Sequence, residues 1–212
     1  MMRSSLSRLA VPAFVVSGLL SLVTSVSAAE TVGKVSRLRG ECVVVRGETR
    51  VSLAEGAVIE LDDRLETGGE ARLEVTLLDD TKLTLGEKAH VVVDTFVFDL
   101  NAGKGEALLQ VVKGAMRFTT GKIGAMADKK VEVKTKFATL AVRGTDFWVG
   151  PIDGSNGVLV LTGKVEVKTR RGKVLLDDPR EGTVVASINR RPVTPKAWGD
   201  QKITRALDQT AF

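Results

Sequence analysis

The sequence predicts an all-β protein, and three observations carry that expectation. Short runs rich in Val, Leu, Ile and Thr recur along most of the 212 residues, and branched side chains fit the pleated, half-buried surface of a strand. Within the runs apolar and polar residues alternate, which sends one set to each face. Gly and Asp punctuate them, with 21 Gly against only 5 Pro, as tight turns between strands require. Strand, Gly bend and strand recur at 38–47, 112–121 and 161–170. Their spacing is irregular, so they are not a solenoid repeat. Bends of this kind turn the corners of a β-sandwich or jelly roll, which is the architecture expected.

Three segments are expected: 1–29, 30–189 and 190–212. The first reads as a signal peptide. Arg3 and Arg8 precede an apolar stretch over 9–26, and small residues end it, with cleavage expected after Ala28 or Ala29. Pro12, Gly18 and several Ser interrupt the stretch, and a retained anchor would want about 20 apolar residues in a row. No Cys stands at the cleavage site, so lipidation is not expected. The mature protein is expected in the periplasm, with no stable membrane insertion. Cleavage leaves 29 basic against 26 acidic side chains, a net of +3. So mild and mixed a balance selects no partner class. No basic block or stacking aromatics are seen, so nucleic acid is not an expected partner.

The β region is read in order as strands at 31–38, 42–46, 50–53 and 57–60, then a turn-rich stretch over 61–69. Residues 70–78 alternate cleanly, with Ala71, Leu73, Val75 and Leu77 on one face and Arg72, Glu74 and Thr76 on the other. Asp79 and Asp80 turn the chain into 81–85. Strands follow at 89–98, 107–113, 115–120 and 131–136. Two short runs, 138–142 and 145–149, hinge at Arg143 and Gly144. Strands at 156–161, 164–169, 173–176 and 182–188 complete the domain. In the tail, Thr194 is expected to cap a helix with Pro195 at its first position, running to 209. Trp198, Ile203, Ala206 and Leu207 form its apolar stripe. The helix either docks on the sandwich or offers an amphipathic peptide to a partner.

Side chains for chemistry are sparse. His90 is the one histidine and Cys42 the one thiol, so neither an intramolecular disulfide nor a zinc site is expected. Cys42 reads as a small buried hydrophobe, with an intermolecular disulfide as the alternative. Asp pairs at 62–63, 79–80 and 177–178 sit in turns, where Asp caps its own backbone. No nucleophile elbow or phosphate loop is found. No catalytic residue, metal or cofactor is expected. The corner leaves Arg143, Thr145, Asp146 and Trp148 as candidate binding residues, with Arg143 free to grip a carboxylate or sugar hydroxyls. The competing reading is a structural corner in which Arg143 and Asp146 pair.

The run AVRGTDF at 141–147, with Thr139 before it and TGKVEV at 162–167 after it, resembles the signature of the FecR domain. The likeness extends upstream through LDDRLETG at 61–68 and ARLEVTLLDDTKLTL at 71–85, covering roughly 32–170. Asp62 and Asp80 stand where the family often has Gly, which implies reshaped turns. The resemblance implies a compact, jelly-roll-like module without enzymatic activity. FecR-type domains are best known in membrane regulators that carry a signal from an outer-membrane transporter to a sigma factor. No cytoplasmic anti-sigma segment or transporter-contacting domain is read here. The expectation is therefore a stand-alone exported binding or scaffolding protein of the envelope, with an envelope protein as partner. The alternative is a carbohydrate- or peptidoglycan-binding module, for which only Trp148, Trp198 and a few Phe are available as a sugar platform, and that scarcity weighs against it.

Overall fold

The structure, a computed structural model, describes residues 30–212. The expected signal peptide and its cleavage sites lie outside them. The first half is β1 (Thr31–Arg39), β2 (Cys42–Arg46), β3 (Thr49–Ser52), β4 (Val58–Glu60), β5 (Arg64–Thr67), β6 (Arg72–Leu77), β7 (Lys82–Leu85) and β8 (His90–Asp99). The second is β9 (Lys104–Lys113), β10 (Met116–Thr119), a 3-10 turn (Lys122–Ala125), β11 (Asp128–Thr135), β12 (Thr139–Ile152), β13 (Ser155–Thr169), β14 (Gly172–Leu176), β15 (Glu181–Val185), β16 (Lys196–Ala197) and α1 (Asp200–Asp208). The fold is all-β with a short C-terminal helix.

One hydrogen-bonded sheet curls through all of these strands in the order β3-β2-β5-β8-β9-β11-β12-β10-β7-β6-β1-β4. β13 branches from β12 and carries β14 and β15, with β16 on β15. Pairing is antiparallel except between β9 and β11, which run parallel over eight residue pairs. The curl follows from two long strands that change partners midway. β12 pairs with β11 over Thr139–Ala141 and with β10 over Asp146–Val149. β13 pairs with β14 through Val165–Thr169 and with β15 through Asn156–Leu159. Strands that pass from one layer to another through a bulge are how β folds make corners.

The core is built by alternation. In β6, Leu73, Val75 and Leu77 are buried while Arg72, Glu74 and Thr76 are half-exposed. Val, Leu, Ile, Ala and Phe side chains from most strands meet in one apolar cluster. A second, smaller cluster of Ala115, Trp148, Ile152, Leu159, Trp198 and Ala206 lies beneath the helix.

Three expectations are corrected. The runs at 138–142 and 145–149 are one strand with a bulge, not two strands. The turn-rich stretch contains β5, held between β2 and β8. The helix starts at Asp200 with Gly199 as N-cap, not at Pro195, because Lys196 and Ala197 pair with β15 first. Asp62 and Asp80 both lie in turns or bends between strands. Both residues take the left-handed backbone, at φ 64 and 67, which Asp tolerates better than most side chains.

Candidate functional site

The Arg143–Asp146 bulge is the point where β12 leaves one partner for the other. Its register against β13 steps from Arg143↔Lys164 to Asp146↔Thr162, setting Gly144 and Thr145 against Gly163 alone. Gly144 and Gly163 both take positive φ, 56 and 80. A Cβ on Gly163 would lie 2.2 Å from the Gly144 carbonyl oxygen, so the two backbones touch in a way only glycine permits. The bulge is tied to the end of β10. Thr145 N–H donates to Thr120 Oγ1 at 2.9 Å, and Thr120 N–H donates to the Thr145 carbonyl at 2.8 Å.

The expected Arg143–Asp146 pair does not form. Asp146 accepts both arms of Arg117 on β10, at 2.9 and 2.6 Å. Pairing strand to strand places Arg117 against Trp148 and Thr119 against Asp146, so the guanidinium reaches back one step. The hydrogen bond from Arg117 to Asp146 raises the arginine's pKa above its ordinary value despite partial burial. Arg143 itself is exposed and stands beside Lys164 on the outer face. Thr145 is buried, its Oγ1 without a partner. Trp148 is fully buried, 6.3 Å from Trp198 in an edge-to-face pair. Of the four candidates, then, only Arg143 is exposed, while Asp146 is half-buried with its carboxylate taken by Arg117.

The Asp pairs are built into turns. Asp79 is buried; its carboxylate accepts from Thr81 N–H at 3.0 Å, Thr81 Oγ1–H at 2.7 Å and Ile123 N–H at 3.2 Å. Asp63 is buried against Arg46, at 2.7 and 2.9 Å, and also accepts from Glu60 N–H. Such carboxylates hold backbone and counter-charge, as buried charge demands. Asp177, Asp178 and Glu181 sit close together, but Glu181 accepts from the backbone N–H groups of both aspartates.

The concavity that sequence reasoning missed lies alongside α1. The segment before the helix drives Trp198 into a notch made by two glycines: a Cβ would meet its ring at 2.3 Å from Gly182 and 2.8 Å from Gly157. The helix is then fastened at its far side. Asp153 takes Lys202 at 2.9 Å and Arg205 at 2.8 Å, and these two hydrogen bonds hold its carboxyl below the usual range. Gln209 Nε2–H donates to the Pro151 carbonyl, Arg72 Nε–H donates to the Ala211 carbonyl at 3.0 Å, and Arg37 lies over the Phe212 ring at 4.2 Å. Between this helix and the turns at 87–88, 113–115 and 136–137 runs an open groove of about 960 Å³. Its walls include Val111, Phe137, Val149 and Ile152, and its rim carries Lys88, Lys113 and Lys136, all three exposed. Its size is that of a ligand cleft. The lining residues come from six separate stretches of chain, at 72, 87–88, 111–115, 136–137, 149–156 and 205–209, and no local pattern announces them.

The corner, its bulge and the strands on either side are the stretch that matches a known family. Residues 63–166 match the family model described as FecR protein. The chain carries a FecR domain. Two crystal structures of a candidate anti-sigma factor from Parabacteroides distasonis ATCC 8503, at 1.65 and 2.50 Å resolution, are similar to it. Each is 24% identical with a TM-score of 0.53, and the match covers 68% of this chain and 64% or 63% of theirs. That likeness shows the shared fold, and the chain spans a little under two thirds of those structures. No curated protein matches the chain.

Proposed function

We propose that this protein is an exported, non-enzymatic FecR-domain module that binds a protein partner in the bacterial envelope, in a scaffolding or signalling role. The observation that carries the reading is the groove. It pairs an apolar wall with a lysine rim and joins the FecR domain to the helix that follows it. An extended or helical segment of a partner, apolar on one side and acidic on the other, suits such a surface. The carboxylates an enzyme would draw on support the same reading, because Asp63, Asp79 and Asp146 are already committed to turns and arginines. Stacking of neutral sugars on tryptophan is disfavoured, since Trp148 and Trp198 are both buried.

The test places a photo-crosslinking residue at Lys113 or Gln209, inside the groove, and at Lys82, away from it, in cells of the native host. One envelope protein captured from the groove positions and absent from the Lys82 control is the expected result. An identical catch at all three positions, or bait that sediments with cell-wall sacculi and crosslinks to no protein, would overturn the proposal.

A further inference from the structure

The sheet gathers onto one end the positive charge that the sequence spreads along its length. Lys134, Thr139, Lys168 and Lys173 lie side by side across four strands, since Lys134 pairs with Thr139, Thr139 with Lys168 and Lys168 with Lys173. All but Thr139 are exposed. Just beyond this row, toward the turns, stand Arg170 and Arg171 in the β13–β14 turn. The loop after β15 is hydrogen-bonded to that turn, from Arg170 N–H to the Ile188 carbonyl at 2.9 Å. It adds Arg191, whose side chain packs beside Gly172. Among the described residues, Lys134, Lys168, Arg170, Arg171 and Arg191 form no ion pair. Lys173 is held by Glu166 at 2.7 Å.

The geometry points to a binding track for an acidic polysaccharide, lying across the strands over this row. Neighbouring strands are about 4.8 Å apart, which sets Lys134 and Lys168 roughly 9.5 Å apart with the Thr139 hydroxyl between them. An extended uronic-acid polymer repeats its carboxylates at a similar rise per sugar, so alternate residues meet a lysine while a hydroxyl group faces Thr139. The next row inward carries Glu132 and Glu166, paired through Ala141. Glu166 is neutralised by Lys173, but Glu132, without an ion pair among the described residues, repels an anion and biases it toward the lysine row and the arginine turn. Arginine forks at that turn suit carboxylates in two-point contacts. Stacking aromatics are not needed, because the ligand is held by charge rather than by ring faces. None of these residues lines the groove beside α1, so this site is independent of the proposed protein partner.

Affinity electrophoresis of the purified protein through gels containing polygalacturonate tests the proposal, with a neutral galactan gel as reference. Retardation in the polyuronate gel alone is expected, diminishing as salt rises. Lys134→Glu with Lys168→Glu should weaken it about tenfold or more, and so should Arg170→Glu with Arg171→Glu. Lys82→Glu with Lys104→Glu, which changes the net charge equally elsewhere, should leave it nearly unaltered. No retardation, equal loss in the control pair, or binding to phosphatidylglycerol vesicles but not to polyuronate would each overturn it. Far-ultraviolet circular dichroism of every variant establishes that a loss reflects the site and not the fold.

Discussion

Removing the Trp198 ring while filling its notch is the sharpest probe of how the helix is held. Trp198 is 4% exposed, and its ring is pressed between Gly157 and Gly182 and against Trp148. Trp198→Ala empties a large buried volume and should cost about 3–5 kcal/mol. For a protein of this size that lowers Tm by roughly 10 °C. Gly182→Ala alone forces a methyl to within 2.3 Å of Trp198 Cε2 and should cost about 1–3 kcal/mol by overpacking. In the double variant the methyl enters space the ring has vacated, so the Gly182 change should then cost no more than about 0.5 kcal/mol. The coupling, about 1–2 kcal/mol in favour of the double variant, is read from urea denaturation of the wild type, both single variants and the pair. Additive costs, or a Trp198→Ala cost below about 1 kcal/mol, would refute the claim that the notch and the ring define the seat of the helix.

Gly163→Ala should destabilise more than Gly144→Ala in the same denaturation assay. Both residues have positive φ, worth about 1–2 kcal/mol of strain, but only Gly163 would also drive its Cβ into backbone, while Gly144 faces open space. Gly144→Val should lose stability through backbone strain alone, and a fully stable variant would contradict the structural role of the bulge. Asp153 gives the helix a pH dependence. Its folded carboxyl lies below the usual range, so its contribution is complete above the ordinary carboxylate pKa and fades as acidification passes through the folded value. Tryptophan fluorescence should report loosening at low pH, and Asp153→Asn should flatten that part of the profile. Burial pushes the Cys42 thiol above its ordinary pKa, with Glu41 adding to the effect. A thiol reagent should therefore label it only after unfolding; labelling of the native protein within minutes would restore the intermolecular disulfide as a reading.

Much of the strand pattern was legible because alternation and Gly–Asp turns are local signals. Residues 42–46 emerge with both ends as expected, and the inward set of β6 is the one the period of two implies. β5 escaped because four residues flanked by aspartates and glycines carry too little periodicity, although Leu65 is fully buried. The helix start was misplaced because Thr194 and Pro195 make a plausible cap in isolation. What overrides them is tertiary: a two-residue pairing with β15 and the descent of Trp198 into a glycine notch. Asp146 chose Arg117 rather than Arg143 because a bulge turns adjacent side chains apart, and no spacing within 143–146 reveals a partner 29 residues upstream. The groove and the basic end share that character. Each is assembled by register between distant stretches, so a chain whose charges look evenly mixed in one dimension is polarised in three.

The fastening of residues 196–212 also bears on the order in which the chain becomes a protein. Arg72 is bonded to a carbonyl 139 positions later, and Arg37 stacks on Phe212. A chain emerging from its N-terminal end, whether from a ribosome or through a narrow pore, therefore lacks the means to bury Trp148 until residues near its far end arrive. Such long-range closure slows folding and keeps partial chains open. Early stops that spare the entire FecR domain should accordingly yield an incomplete, sticky product. Completion, not local strand formation, is the step at which the molecule commits.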